Sequence, residues 1–384
     1  MRIVHVLNHV QKIGNGIVNV AIDLACLQAK TGYQVAVISS GGEYEILLDG
    51  FGVKHYTLNL NRTPVNTIKA CIRYREIIAD FEPDIVHAHM MTGVVLGFLH
   101  RARRYVLVST VHNEFQRSAI LMGLADRVIA VSQAVANSMQ RRGIPLSKLR
   151  VVSNGTLGSP RTPIKTYLPL ALQRPAITTV AGMYKRKGIK ELIKAFEKIA
   201  FDFPLAHLYI VGDGPDKKLF ETIAMKSAVA SRIHFEGFQP QPQRYLLSSD
   251  IFVLASYYES FGLAIAEARE ANCAIIASDV DGISQTLDSG QAGILVPAKN
   301  SDALASALSK LLSDADTLQT WKDRAGSNLE WLSVERVNQE TLSVYRELLL
   351  CTSQNISSIP PIEIKSALPS VTQKNHAALH RSKE

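Results

Sequence analysis

Two glutamates, Glu259 and Glu267, lie eight positions apart in a segment whose residue pattern changes from strand to helix. Residues 250–255 form a short, mainly apolar run, which is typical of a buried parallel strand. Gly262 permits a tight turn, and residues 263–270 favour a helix. Because helical side chains lean toward the helix N-terminus, we expect Glu267 to point back toward the turn that carries Glu259.

This turn suits a ligand that carries both hydroxyl groups and phosphates. Free backbone N–H groups at a helix start bind anions. Carboxylates repel phosphates but accept hydrogen bonds from neutral polyols, such as a ribose diol or the hydroxyls of a hexose. For an isolated pair, the more common alternative is two solvated glutamates beside an ordinary strand-to-helix turn. The surrounding segments favour the other interpretation, a nucleotide-sugar site.

A basic loop follows the first predicted strand of the C-terminal half. Lys185, Arg186 and Lys187 are consecutive and lie between Gly182 and Gly188. Three cationic side chains on a loop between glycines would neutralise a diphosphate without a metal ion. The alternative is a solvated loop with no ligand.

The N-terminal half offers a second set of candidates. Gly14 and Gly16 follow the first strand and open a helix, but they lack the full GxGxxG spacing of a dinucleotide site. They would still permit the close approach of a sugar or a phosphate. His112 follows the apolar run 105–111, so we expect it at the carboxyl end of a strand in the cleft. The alternative for His112 is an ordinary core histidine.

No metal and no separate cofactor is expected. Asp279-Val280-Asp281 matches the short DxD pattern of metal-dependent transferases, and we interpret it as a loop before a helix start. We find no His/Cys cluster with metal-ligand spacing in the sequence. Four scattered cysteines favour a reducing, cytoplasmic compartment over a disulfide framework.

Size and charge exclude several classes of protein. The chain of 384 residues can form two domains, and a 20% share of charged residues is typical of a folded globular protein. The first residues resemble a strand more than a signal peptide, and no apolar run is long enough for a membrane span. The basic residues behind the net charge of +8 are dispersed and lack interleaved aromatics, so a nucleic-acid partner is not expected.

Two local basic clusters leave an alternative open. Arg101-Ala102-Arg103-Arg104 and Arg141-Arg142 both lie in the N-terminal half. Solvated helix ends are the simpler interpretation. The other interpretation is peripheral contact with the anionic inner face of the plasma membrane, where a lipid-linked acceptor would reside.

Alternating apolar runs and amphipathic segments predict two α/β domains. A Pro- and Gly-rich stretch near residues 158–175 separates two such series. We expect an N-terminal Rossmann-like domain over 1–165 and a C-terminal one over 176–333. A helix over 334–350 would pack back on the first domain, and 351–384 would be a disordered tail. Two doubly wound domains facing a cleft would place ligands at the carboxyl ends of both sheets.

These segments resemble the GT-B retaining glycosyltransferases of the Glu-x7-Glu group, which are glycosyltransferase family 4-like. The resemblance covers about residues 1–350 and is most specific at Glu259-Ser260-Phe261-Gly262-Leu263 with Glu267 and at residues 293–297. It implies a GT-B fold, a nucleotide-sugar donor and no metal requirement.

The resemblance also implies roles for individual residues. Glu267 would hold the ribose hydroxyls, and Glu259 would hold the 3- and 4-hydroxyls of the donor sugar. His112 would contact that sugar near the reacting carbon, and Lys187 would neutralise the diphosphate. The remaining candidates would border the donor, through backbone amides at Phe261, Gly262 and Leu263 and through close approach at Gly14 and Gly16.

The chain departs from the family pattern at three positions. Met183 stands where the family usually has arginine, so Lys185 or Arg186 would have to replace that charge. Asp281-Gly282 replaces a Gly-Gly pair, and Gln285 stands where glutamate is frequent. None of these changes removes the glutamate pair.

The expected function is retaining transfer of a hexosyl unit from a nucleotide diphosphate sugar to a hydroxyl of a sugar or lipid-linked acceptor, in polysaccharide or glycolipid assembly. One alternative is a sugar-nucleotide epimerase or phosphorylase on a related fold. The other is a non-catalytic subunit that binds nucleotide sugar within a transferase complex, which Met183 would favour.

Overall fold

The computed structural model describes residues 1–61, 63–100, 105–161 and 167–357. Two separate parallel sheets follow one another along the chain, and helices connect their strands. The expected α/β fold with two Rossmann-like domains is confirmed. The cluster at residues 101–104 lies outside the described residues, as does the part of the tail from 358 onward.

The first sheet has seven strands within the described residues, in the order β3-β2-β1-β4-β5-β6-β7. Its strands are nearly continuous apolar runs, because helices cover both faces of a parallel sheet. The strands and helices of this half are β1 (Arg2–Val6), α1 (Gly16–Lys30), β2 (Gln34–Ser39), α2 (Glu45–Gly50), β3 (Lys54–Thr57), α3 (Pro64–Phe81), β4 (Ile85–Ala88), α4 (Met91–Leu99), β5 (Val106–Val111), β6 (Arg127–Ala130), α5 (Gln133–Arg141) and β7 (Leu149–Val151).

The second sheet has six strands in the described part of the chain, in the order β10-β9-β8-β11-β12-β13. The strand order changes direction at β8, because β9 and β10 lie on one side of it and β11, β12 and β13 lie on the other. Open α/β sheets bind ligands at such a point, here between β8 and β11. Its elements are β8 (Ala176–Val180), α6 (Ile189–Ile199), β9 (His207–Val211), α7 (Lys217–Met225), β10 (Ile233–Gly237), α8 (Gln243–Leu246), β11 (Ile251–Leu254), α9 (Leu263–Glu270), β12 (Ala274–Ser278), α10 (Ile283–Thr286), β13 (Ile294–Val296), α11 (Ser301–Leu312) and α12 (Ala315–Ala325).

The last helix, α13 (Val334–Ser357), returns from the second sheet to the first. Its apolar side chains, such as Tyr345 and Leu348, pack with Ile3 and Val20 in one buried cluster. Arg127 of β6 and Arg150 of β7 form ion pairs with Glu347. The helix runs seven residues past Leu350, where we had expected it to end, so that part of the predicted tail is helical.

Short 3-10 helices complete the connections, at Arg117–Leu124, Leu146–Lys148, Lys185–Lys187, Ala230–Arg232, Asp288–Gly290 and Glu330–Leu332. Across the described ranges, each helix is too short or too polar to cross a lipid bilayer.

Candidate functional site

The turn between β11 and α9 has the predicted conformation. β11 is fully buried, and Gly262 adopts a positive φ of 89°, a conformation that favours glycine. No side chain among the described residues caps the start of α9. Its first N–H groups therefore remain available for an anion, as the sequence predicts.

Lys187 and Glu259 form an ion pair beside this turn. The Lys187 Nζ donates to Glu259 Oε2, and their side chains are only 14% and 15% exposed. Gly188 makes this approach possible, because a Cβ at that position would lie 1.8 Å from the carbonyl oxygen of Ala255 at the end of β11. The basic loop thus packs directly on the strand that carries the glutamate turn. The two predicted residues partly neutralise each other.

The other two cations of the loop point elsewhere. Lys185 is exposed, and its backbone N–H donates to Asp216 Oδ2 at 2.9 Å. The Arg186 guanidinium lies 5.8 Å from the ring of Phe115 in the N-terminal half and 5.8 Å from the ring of Tyr184. The three charges are therefore dispersed around the loop, and Lys187 is the one that pairs with the glutamate turn.

Met183 lies in the hydrophobic core. Its side chain is 0% exposed and packs in the cluster that includes Ile177, Ile189 and Phe196. Its backbone N–H donates to the carbonyl of Asp213 at 2.8 Å. In this chain, the side chain at the position where the family usually has arginine therefore lies in the core and does not line the cleft.

Among the residues that the structure describes, Glu267 has no such counter-charge in direct contact. Burial raises the pKa of Glu267 to about 7, while nearby Arg161 lowers the pKa and Asp23 raises it. Its carboxylate accepts no hydrogen bond from any residue that the structure describes. Arg161 is already committed, since its Nη2 donates to Asp23 Oδ2 at 2.8 Å in a buried ion pair. A hydroxyl-bearing ligand would supply the donors that Glu267 lacks.

The two predicted glycines of the N-terminal half reach the C-terminal half. A Cβ at Gly16 would lie 2.8 Å from Leu263 Cδ1, at the start of α9. A Cβ at Gly14, where φ is 70°, would lie 3.4 Å from Phe238 Cε2. Asn15 between them caps α1, because Ile17 N–H donates to Asn15 Oδ1 at 3.0 Å. The structure therefore brings Gly16 and Leu263 together across the cleft.

Hydrogen bonds from the N-terminal half hold the glutamate turn in place. Ser260 Oγ donates to Glu114 Oε2 at 2.7 Å, and Ser132 Oγ donates to the carbonyl of Ser260 at 2.7 Å. Burial raises the pKa of Glu114, although the bond from Ser260 opposes that rise. Ser260, which lies between the two predicted glutamates, thus forms hydrogen bonds with the other half.

Two of the family departures also serve this contact. Asp281 Oδ2 accepts a hydrogen bond from the Glu259 N–H at 3.2 Å, which fits its interpretation as a loop residue. Gln285 accepts from the Gln133 N–H at 3.2 Å and donates to Ser153 Oγ at 2.8 Å. Gln285 therefore joins the second domain to the first, whereas Asp281 joins two loops of the second domain.

His112 is half-buried at the end of β5, and three buried histidines stand behind it. His112 Nε2 lies 3.1 Å from His89 Nδ1, and His89 Nε2 lies 2.9 Å from His5 Nδ1. Sequence reasoning missed this cluster of His5, His87 and His89. The signal was available, because His87 and His89 alternate at the end of β4 and His5 pairs in register with His87.

A cavity of about 310 Å³ lies where the two halves meet beside the glutamate turn. Arg141 and Arg142 from α5 and the aromatic rings of Phe115 and Tyr258 line it. The Phe115 and Tyr258 ring centroids are 5.8 Å apart. A second cavity of about 270 Å³ lies in the N-terminal half and is lined by Asn8, Ser40, Thr57, Asn59, Leu60 and Asn61.

Two family models match the chain in succession. Residues 14–156 match Glycosyltransferase Family 4, and residues 161–327 match Glycosyl transferases group 1. The border between the two matches falls in the segment that joins the two sheets.

Known proteins share this arrangement over nearly their whole length. The N-acetyl-alpha-D-glucosaminyl L-malate synthase of Bacillus anthracis is 22% identical, over 88% of this chain and 94% of the relative. The phosphatidyl-myo-inositol mannosyltransferase of Mycolicibacterium smegmatis is 24% identical, over 90% and 93%. The crystal structure of Anabaena HepE in complex with UDP and glucose superposes with a TM-score of 0.76 at 19% identity, over 90% of this chain and 100% of HepE. The structural match establishes the GT-B fold.

Proposed function

We infer the reaction of this chain from its membership of Glycosyltransferase Family 4 over residues 14–156 and of the group 1 glycosyl transferases over residues 161–327. The chain is a glycosyltransferase. We propose that it moves a hexosyl unit from a nucleotide diphosphate sugar to an acceptor hydroxyl and retains the anomeric configuration.

One contrast in the site supports this reaction most directly. Glu259 is held by Lys187, whereas Glu267 lies partly buried with no hydrogen-bond donor among the described residues. Both flank the uncapped start of α9. A ribose diol would satisfy Glu267, the sugar hydroxyls would bind Glu259, and the diphosphate would meet the amides of Phe261, Gly262 and Leu263.

The chemistry follows from the charge that develops on the diphosphate. As the glycosidic bond breaks, negative charge grows on the leaving phosphate oxygens. The Lys187 ammonium carries three donors, so it can bind a phosphate oxygen while it keeps Glu259 in place. Preorganised donors aimed at developing charge contribute most to such a reaction. The departing phosphate oxygen takes the acceptor proton on the same face of the sugar, so no side-chain base is required.

We further propose that the enzyme works without a metal ion and without a cofactor besides its donor. The Lys187 ammonium and the helix-start amides supply positive potential where a divalent cation would otherwise bind. Activity should therefore persist in excess EDTA. A strict requirement for added Mg²⁺ or Mn²⁺ would contradict this part of the proposal.

The acceptor is proposed to be a sugar or a lipid-linked glycan, met in the cytoplasm or at the inner face of the plasma membrane. Several relatives are named for cell-envelope polymers, among them a putative teichuronic acid biosynthesis glycosyltransferase of Bacillus subtilis and a lipopolysaccharide core biosynthesis glycosyltransferase of Rhizobium meliloti. Two aromatic rings, two arginines and the carboxylates of Glu114 and Asp281 line the larger cavity, and this combination suits a carbohydrate.

A donor panel tests the reaction. Purified protein is mixed with UDP-glucose, GDP-mannose or ADP-glucose, with water as the only acceptor. Thermal shift and nucleotide release are measured, and NMR records the anomer of the released sugar before it mutarotates. We expect one donor to stabilise the protein and to yield a product with the donor's α configuration. Glu259→Ala should abolish release, and Glu330→Ala, an exposed control, should not. Release of a β product, or a donor that binds without ever being cleaved, would contradict the proposal.

A further inference from the structure

Four polar side chains form one hydrogen-bonded row through the first sheet to the cleft. Gln28 Oε1 of α1 lies 2.8 Å from His5 Nε2, His5 Nδ1 lies 2.9 Å from His89 Nε2, and His89 Nδ1 lies 3.1 Å from His112 Nε2. Gln28, His5 and His89 are at most 2% exposed. The consecutive imidazole rings stack at centroid distances of 5.2 Å and 5.4 Å. Histidine side chains at β1, β4 and β5 are thus linked into one unit.

The Gln28 Nε2 has no hydrogen-bond partner among the described residues, and the placement of Gln28 Oε1 toward His5 gives the row its direction. An amide oxygen only accepts, so His5 must carry its proton on Nε2 and accept at Nδ1. His89 must then donate from Nε2 and accept at Nδ1. His112 must donate from Nε2, which leaves the lone pair of its Nδ1 free. Each link permits one tautomer once the previous one is set.

We propose that Gln28, His5 and His89 are positioning residues that hold His112 as its Nε2–H tautomer, so that Nδ1 accepts a hydrogen bond from a hydroxyl of the donor sugar. This role rests on the proposed transferase reaction, in which His112 contacts that sugar. His112 Nδ1 has no partner among the described residues, so it is available to a ligand.

The row also keeps His112 neutral. Burial lowers the pKa of His112 to about 3 and that of His5 to about 4. Positive charge develops at the sugar carbon as the glycosidic bond breaks, and a cationic imidazole next to it would oppose that step. A neutral imidazole with a fixed acceptor nitrogen instead orients the sugar without electrostatic cost. In many active sites, the tautomer of a histidine is likewise set by the hydrogen bond that its second ring nitrogen makes.

His87 supports the row from the side. Its ring centroid lies 4.2 Å from that of His89, and its nitrogens lie 2.5 Å from the hydroxyl of Tyr345 and 2.6 Å from that of Thr110. The nitrogens of His5, His87 and His89 lie close enough to suggest a metal site. In the hydrogen-bonded arrangement, however, one proton lies between His5 Nδ1 and His89 Nε2, so only one of these two nitrogens offers a lone pair to an ion. The row favours hydrogen bonding.

Nitrogen-15 NMR of histidine side chains tests the tautomer without any donor or activity. In the wild type, we expect His112 to show a protonated Nε2 and a bare Nδ1. His89→Phe, which keeps a ring in the stack, and Gln28→Met, three side chains away, should each convert His112 to a mixture of tautomers. Turnover of the donor should fall about tenfold or more in both variants, as for other residues that orient a site through a hydrogen bond.

A matched control lies in the second sheet. His207 Nδ1 and His234 Nε2 are 2.9 Å apart, and their rings stack at 5.2 Å, but they belong to β9 and β10 away from the glutamate turn. His207→Phe should change neither the His112 spectrum nor turnover. A wild-type His112 protonated at Nδ1, or a His112 spectrum unchanged in both His89→Phe and Gln28→Met, would overturn the proposal. Loss of thermal stability alone would indicate packing and would also count against it.

Discussion

The two edges of the cleft use different chemistry. The C-terminal edge carries the ion pair between Lys187 and Glu259, and nearby Glu267 has no direct counter-charge among the described residues. The N-terminal edge presents His112, which burial keeps neutral and a row of hydrogen bonds orients. At these residues, one parallel sheet therefore ends in an ion pair and the other in a neutral imidazole.

The difference matches what each half of the proposed donor needs. A diphosphate with two or more negative charges requires cations and N–H dipoles, which the loop at Lys187 and the start of α9 provide. The sugar is uncharged in the ground state and becomes positive near its reacting carbon, so a neutral His112 avoids the repulsion that a cationic imidazole would cause. The comparison predicts that charge changes will be most damaging on the C-terminal edge.

The largest effect should come from placing a charge at the wrong position of that edge. Met183→Arg restores the residue that the family usually has, but here the side chain is fully buried. A buried, unpaired charge is destabilising by about 3–5 kcal/mol, so we expect a strongly lowered melting temperature and no gain in activity. Met225→Arg, at a methionine of α7 that is 77% exposed, is the matched control and should melt like the wild type. A stable and more active Met183→Arg would show that this loop can turn the position toward the cleft.

Removing the central cation should have the next largest effect. Lys187→Met keeps most of the side-chain volume but leaves Glu259 without its partner and the diphosphate without its ammonium. We expect turnover to fall by about 10²–10³-fold, which is the scale for one lost donor to a developing anion. Lys190→Met, an exposed position on α6, should leave turnover unchanged. Equal effects of the two variants would remove Lys187 from the site.

The unpaired glutamate should affect stability and function in opposite directions. The pKa of Glu267 is raised from 4.5 to about 7, so the native state holds a proton that the unfolded state has released between these values. The free energy of unfolding must therefore fall as pH rises through this window. Glu267→Gln cannot ionise, and above pH 7 we expect it to unfold later than the wild type, by up to about 3 kcal/mol, with no advantage at pH 4.

The Glu270→Gln variant separates the effect of a raised carboxyl pKa on stability from the effect of Glu267 on donor binding. Burial also raises the pKa of Glu270 to about 7, so this variant should gain stability above pH 7 in the same way. Donor binding, measured by calorimetry, should weaken in Glu267→Gln and persist in Glu270→Gln. If both variants bind the donor normally, Glu267 does not hold the ribose.

The smallest effect should come from the contact that joins the two edges. Ser260→Ala removes the hydrogen bond to Glu114 and leaves that buried carboxylate without this donor. We expect the free energy of donor binding to become less favourable by about 1–2 kcal/mol. This change would appear as a several-fold rise in the KM for the donor with little change in kcat. Adding Glu114→Gln to Ser260→Ala should then cost little more, and additive losses would show that the two residues act independently.

Local patterns in the sequence predicted much of this architecture. Apolar runs and amphipathic segments indicated two parallel α/β sheets, because strand burial and helix periodicity are properties of short segments. The spacing of Glu259, Gly262 and Glu267 indicated a turn whose glycine and helix start the structure contains. The ion pair between Lys187 and Glu259 was not predicted, since it joins two loops that are 72 positions apart.

The structure altered the interpretations that depended on single residues more than those that depended on whole segments. Met183 favoured a non-catalytic subunit because it replaces the arginine of the family, and the structure places its side chain in the core rather than in the cleft. Gln285 and Asp281 looked like losses from the family pattern, yet both form hydrogen bonds that keep the halves or the loop in register. A residue type read along the chain does not reveal which side of a loop it will occupy.

By itself, the sequence determined the elements and their order, because hydrophobic periodicity, glycine turns and helix starts depend on neighbouring residues. Only the tertiary structure decided which charges meet, which are buried and which histidines touch. His5, His89 and His112 come from three separate strands that lie side by side only when the sheet is assembled. Burial and hydrogen-bond direction, which set the pKa and the tautomer of each group, arise from that assembly.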